Sequence, residues 1–156
     1  MSNTKKIIII FIFLSLLSGC GFKKTEQYQS LIHLQKISID GDARISYKIK
    51  NNLQFISNKD AQNKYNITIN LTQKKRDKIK NNTGRVTRYT MTVNAELSLE
   101  DDANQETVVQ SFSESANYYV ASNHSETINN EKKAIKTIIQ GISEKMKKFI
   151  VNAVRN

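Results

Sequence analysis

The side chain whose neighbours prescribe a reaction is Cys20. Leu17-Ser18-Gly19-Cys20 has the layout of a bacterial lipobox. Small residues ahead of such a cysteine admit a lipoprotein signal peptidase once the thiol carries diacylglycerol. The chemistry is thioether formation at Sγ, then cleavage after Gly19. Upstream, Lys5 and Lys6 precede an apolar stretch from Ile7 to Leu17, which completes the three parts of a secretory signal. That stretch is 11 residues, short of the ~20 that a helix needs to cross a bilayer. Residues 1–19 therefore read as a removable export signal, and membrane attachment as lipid. Each buried methylene contributes about 0.8 kcal/mol, so several acyl chains hold where one binds only marginally. Gly21 rather than Asp follows the cysteine, which favours the outer membrane over retention at the inner one.

Other chemistry finds few carriers. Cys20 is the single cysteine and the histidines are two, His33 and His124. An internal disulfide, a cysteine-based zinc cluster and a His-rich metal site are excluded, and no metal or other cofactor is expected. Of the five glycines two lie in or beside the lipobox, which leaves too few for a phosphate-cradling loop, and there is no nucleophile elbow. Asp101-Asp102 has the form of a carboxylate pair but falls after a strand, where Asp is favoured for turn geometry. No catalytic residue is assigned, and the expectation is a protein that is not an enzyme. Four Asn-x-Ser/Thr matches, at Asn66, Asn70, Asn81 and Asn123, are what an Asn-rich chain yields by chance.

Charge is more informative. The chain has 24 Lys+Arg against 14 Asp+Glu, a net +10. Without the two signal lysines the remaining 137 residues carry 22 minus 14, or +8. Between Gln73 and Arg88 lie seven cations, Lys74, Lys75, Arg76, Lys78, Lys80, Arg85 and Arg88, and one acid, Asp77. From Glu96 to Glu114 there are six acids and no base. Successive turns of an antiparallel meander lie at opposite ends of a sheet, so the domain is expected to be electrically polar. The basic segment reads as a turn that either meets an anionic partner or merely keeps an Asn-rich loop in solution.

The elements that would position these charges follow from periodicity. Residues 20–30 show neither helical nor strand spacing and read as a lipidated tether; residues 31–156 read as a single domain. Leu34, Ile37 and Ile39 before Asp40-Gly41 make a short strand with poor alternation. Asp42 is a helix N-cap, followed by Ile45, Ile49, Leu53 and Ile56 at three- and four-residue spacing. Tyr65, Ile67, Ile69 and Leu71 alternate with polar residues, as do Tyr89 to Leu99 at every second position. Val108, Phe112, Ala116 and Tyr118 form a third face, interrupted by Gln110 and Glu114. From Glu126 to Ala153 a long amphipathic helix is marked by Ile128, Ile135, Ile138, Ile139, Ile142, Met146, Phe149 and Ile150, with Gly141 inside it at ~1 kcal/mol relative to Ala. The expected fold class is α+β, a two-layer sandwich of order β-α-β-β-β-α. Two helices pack on one face of a four-stranded, mostly antiparallel sheet.

These features together resemble the LPS-assembly lipoprotein LptE family, partners of the outer-membrane β-barrel LptD. The resemblance is carried by Cys20-Gly21-Phe22, by the element order, and by Asn82 to Ala95, where a Gly84-containing turn enters a strand of the form Tyr89-x-Met91-x-Val93-x-Ala95. It implies a plug seated in an LptD-like barrel, help in the barrel's assembly, and binding of the lipid A part of lipopolysaccharide; it implies no nucleic-acid partner. For the family, basic residues near the second-to-third strand turn and near the start of the last helix are implicated. Here Lys78, Lys80 and Arg85 match the first region, with Lys74, Lys75, Arg76 and Arg88 close by. The second reads Ser122-Asn123-His124 and lacks the expected lysine. Lipoproteins of other lipid-transport systems share such a sandwich, so an accessory subunit of a phospholipid-trafficking ABC system is the alternative.

Overall fold

A computed structural model describes residues 32–155. The signal, Cys20 and the tether lie outside the described residues. The order is β1 (His33–Asp40), α1 (Ala43–Gln54), β2 (Lys64–Lys80), β3 (Val86–Asp101), β4 (Thr107–Tyr119) and α2 (His124–Arg155). The sheet runs β1-β2-β3-β4, with β1 parallel to β2 and the other pairs antiparallel. This is the α+β arrangement expected from the periodicity.

Strand β1 shows why its alternation is poor. Its register shifts between Leu34 and Lys36, so that Gln35 is an extra residue. A bulge re-aims the chain by one position, and the three-residue step from Leu34 to Ile37 then keeps both on the covered face, opposite Tyr65 and Ile67. Asp42 caps α1 by accepting from the backbone amides of Arg44 at 2.9 Å and Ile45 at 3.1 Å, satisfying donors that the first helical turn leaves open. Ile45, Ile49 and Leu53 are buried along one stripe, each contributing roughly 1.5–3 kcal/mol.

The odd-numbered residues of β2 and β3 supply the floor of the core: Ile67, Ile69, Met91, Val93, Leu97 and Leu99 are all nearly inaccessible. Above them Ile138, Ile139, Ile142, Met146 and Ile150 of α2 close the layer. Phe112 of β4 meets Phe149 edge-on at 5.8 Å. The two helices are tied by Asn52, whose amide donates to the buried Ser143 hydroxyl at 3.1 Å. Gly141 has a local reason: a Cβ there would lie 3.1 Å from the Glu114 side chain. Its absence makes room for the Glu114 carboxylate to pair with Lys145. The apparent interruption of the β4 face at Glu114 is thus an ion pair beside the last helix.

One expectation is corrected. Gln73 to Arg88 is not a long turn: β2 continues to Lys80, β3 begins at Val86, and only residues 81–85 connect them. Beyond Leu71 both faces of β2 are exposed, so apolar alternation stops while backbone pairing continues.

Candidate functional site

Strand parity sorts the seven cations. Lys74 and Arg76 stand opposite Thr92 and Thr90 on the face that the helices leave open. Lys75 has the opposite parity and turns toward α2. Its ammonium lies 3.3 Å from Glu131 Oε2, and the Tyr118 hydroxyl donates to the same oxygen at 2.9 Å. The ammonium also stands 4.4 Å from the centroid of the Tyr89 ring, an attractive position over the ring's negative face. Hydrogen bonding to Tyr118, opposed by burial and reinforced by Glu131, raises the Lys75 pKa; burial foremost raises that of Tyr118. Lys75 therefore fastens the hairpin to the last helix.

The remaining cations gather at the hairpin end. The register shifts between Asp77 and Ile79, leaving Lys78 as an extra residue, and shifts again before Lys80. Lys80 pairs with Asp77 at 3.3 Å, both side chains about half exposed, a contact that contributes little in water. Asn81 shapes the turn: its side-chain oxygen accepts from the Thr83 amide at 3.1 Å, the Thr83 hydroxyl at 2.8 Å and the Arg85 amide at 2.9 Å. Gly84 at φ 78 completes it. Arg85 projects from this fixed turn and is exposed. Arg88 stacks its guanidinium 4.1 Å over the Tyr119 ring and donates to the Tyr119 hydroxyl.

The second basic region expected near the last helix reaches the same end. The Val120 amide donates to Thr87 O at 3.0 Å, which brings Ser122-Asn123-His124 beside the hairpin root. Asn123 caps α2, accepting from the Glu126 amide at 2.7 Å while its own amide donates to Glu126 at 3.2 Å, a reciprocal pair that quiets the helix terminus. The site also contains what charge reading missed. Ile79, Tyr119 and Val120 are large apolar side chains left 43%, 60% and 37% exposed beside the cations. Ile79 and Tyr119 are brought together by strand pairing, since Ile79 sits opposite Arg88, and Arg88 opposite Tyr119; no linear spacing announces it. The acidic turn lies elsewhere. Asp101 pairs with Tyr65 at the far end of β3, roughly 50 Å along the strand from Val86.

Among the described residues no group of three or more His, Cys, Asp or Glu could hold a metal ion. Nor, among them, is any helix long and apolar enough to cross a membrane.

No family model matches the chain, and no match was found among curated proteins. Solved structures do share its fold. The rare lipoprotein B from Shewanella oneidensis is similar with a TM-score of 0.57 at 12% identity, covering 77% of this chain and 97% of that one. Lipoprotein B from Nitrosomonas europaea gives 0.51 at 14% identity over 84% of this chain and 88% of that one. A candidate lipoprotein from Caulobacter crescentus gives 0.55 at 14%, over 76% and 90%. At these identities the likeness is one of fold.

Proposed function

We propose that the chain is a lipoprotein anchored through Cys20 in the outer membrane, seated in an LptD-like β-barrel, and that its β2–β3 hairpin binds the lipid A part of lipopolysaccharide. The role is one of binding and assembly, without catalysis. The observation that carries the reading is the composition of the hairpin end, where Lys78, Lys80, Arg85 and Arg88 stand beside exposed Ile79 and Tyr119. An amphiphile with phosphates and acyl chains needs both kinds of contact. Arginine offers a planar fork to phosphate where lysine acts as a point charge, so Arg85 is the strongest single contact. Arg88, already engaged with Tyr119, positions the aromatic ring. The fold shared with solved lipoproteins, one of them a rare lipoprotein B, and the lipobox at Cys20 support the anchoring.

The test has two arms. Affinity purification of the full chain from detergent-solubilised outer membrane should co-elute a large barrel. Lys78→Glu with Arg85→Glu should weaken lipopolysaccharide binding at least ~10-fold and remove most of its salt dependence, since exposed charges are screened beyond about 8 Å. Asp101→Asn with Asp102→Asn should change binding less than twofold. Equal effects from the two ends, in folded variants, would return the hairpin to a merely solvated role.

A further inference from the structure

Strand β2 outruns its neighbour. Its pairing with β1 ends at Asp40 opposite Asn70, while its pairing with β3 continues to Lys80. The chain leaves the sheet at Gly41, which at φ 126 passes so close to Leu71 that an added Cβ would lie 2.8 Å from the Leu71 carbonyl oxygen. From Thr72 onward, among the described residues, nothing pairs with the outer edge of β2.

The direction of that edge's backbone groups follows from alternation. Asp102 donates to Lys64 O at 3.0 Å across the β2–β3 ladder, so the even-numbered residues of β2 bond to β3 up to the shift after Asp77. The odd-numbered ones turn N–H and C=O outward. Gln73 and Lys75 therefore present unpaired donors and acceptors at the edge. Beneath the same stretch lies a groove of ≈ 350 Å³ between the start of α1 and α2. Ile45, Ile135 and Ile139 line it together with Gln73; its charged lining is three cations and two acids, Asp42, engaged as the α1 cap, and Glu131, engaged with Lys75.

We propose that Thr72–Asp77 is a strand-addition site for an extended partner segment in which apolar and acidic residues alternate. A strand laid along this edge would continue the line of β1. Every second side chain would enter the groove, where the half-buried Ile135 offers the apolar contact, and the others would stand beside Lys74 and Arg76 on the open face. Main-chain bonds would supply affinity and the groove the specificity. The bulge at Lys78 ends the usable register. A second copy of this edge is disfavoured as occupant, because it would set Lys74 and Arg76 against their own counterparts. The site is distinct from the lipid A contacts at Lys78, Lys80 and Arg85, and does not depend on that reading.

The probe is a fluorescein-labelled heptapeptide alternating valine and glutamate, titrated by anisotropy into the full chain in detergent micelles. It should bind saturably. A version N-methylated on alternate amides, with the same charge, should bind at least ~10-fold more weakly, as the loss of one or two backbone bonds requires; so should a valine–lysine version. Gln73→Pro removes an outward N–H but no bond to β3, and proline is tolerated at such edge positions. It should cost at least ~10-fold in binding while leaving the melting temperature within a few degrees, and Gln73→Ala should retain binding. Equal binding of the methylated peptide would reduce the site to charge attraction and overturn the proposal, as would no binding at all. Slow hydrogen exchange at the Gln73 and Lys75 amides of the free chain would also overturn it. That result would mean that the chain's own N-terminal segment or a second copy already covers the edge.

Discussion

Lys75 lies in the most basic stretch of the chain, yet its geometry assigns it to holding the fold, and the two roles separate experimentally. Glu131→Ala removes the acceptor of the Tyr118 hydroxyl, whose residue is 1% exposed, and the partner of Lys75. A hydrogen bond to a charged group contributes about 1.5–3 kcal/mol, and a partly exposed ion pair about 0.2–1 kcal/mol. The better helix propensity of Ala returns a few tenths, so the expected loss is about 2–3 kcal/mol. Near the midpoint this is a fall of about 10 °C for a domain of this size. Lys75→Met, whose side chain is 43% exposed, should cost no more than about 1 kcal/mol. Tyr118→Phe should cost about 1.5 kcal/mol alone and almost nothing in the Glu131→Ala background, which a double-mutant cycle by urea denaturation measures. In lipopolysaccharide binding, Lys75→Met should leave affinity within threefold while Arg85→Met lowers it by more. If Glu131→Ala costs less than about 0.5 kcal/mol, or Lys75→Met harms lipid binding as much as Arg85→Met, the division of roles is wrong.

Gly41→Ala should destabilise by about 2 kcal/mol or more, because the backbone there sits at φ 126 and the new methyl meets Leu71 at 2.8 Å; thermal melting of the folded variant reads the cost. Asp42→Ala, which deletes the cap on Arg44 and Ile45, should cost about 1 kcal/mol, whereas Asp42→Asn should be nearly silent in the same assay. The pKa values of Lys75 and Tyr118 are both raised above ordinary values of 10.5 and 10.0, by the Tyr118 hydrogen bond first for the lysine and by burial for the phenol. The folded state then holds these protons more tightly than the unfolded chain. Their contribution is fully present below about pH 10 and is lost as pH rises through the folded values. The urea midpoint should therefore stay flat to about pH 9 and fall above about pH 10, and Tyr118→Phe should flatten that fall.

Most of the core was legible because burial on one face imposes a period that residue types must obey. Ile67, Ile69, Met91, Val93, Leu97 and Leu99 declare β2 and β3 in this way, and the Asp42 cap marks where α1 begins. The signal fails where burial ceases. Past Leu71 the same backbone ladder carries Lys74, Arg76 and Lys78 over solvent, so a strand had the composition of a loop. Its parity nevertheless remained readable. Lys75 is in phase with Ile67, Ile69 and Leu71, and a strand extended by four residues would have placed it on the helix side. The bulge at Gln35 hid β1 for a different reason, since an extra residue breaks the alternation that defines a strand. Gly141 could not be understood alone; its meaning is the Glu114 side chain on another element. The exposed pair of Ile79 and Tyr119 likewise exists only through the registers that join three strands.

The hairpin that carries the cations is held at its root rather than along its length. On the side of β1 its support ends at Asn70, and on the side of β4 at the pairing of Arg88 with Tyr119. Two clamps grip it there. One is Lys75 with Glu131 and Tyr118 beneath the sheet, and the other is Arg88 stacked on Tyr119 above it. Beyond them the arm has one bond from the Val120 amide to Thr87 O, its own ladder and the turn that Asn81 orders. Such an arm keeps Lys78, Lys80 and Arg85 in a fixed relation to one another while exposing them on most sides. The acidic turn at Asp101 stands roughly 50 Å away, many times the screening length of about 8 Å, and the acid nearest the cations, Asp77, is already paired with Lys80. The charge asymmetry of the sequence thus becomes two ends that act independently, and binding energy gained at the basic end is not offset by the acidic one.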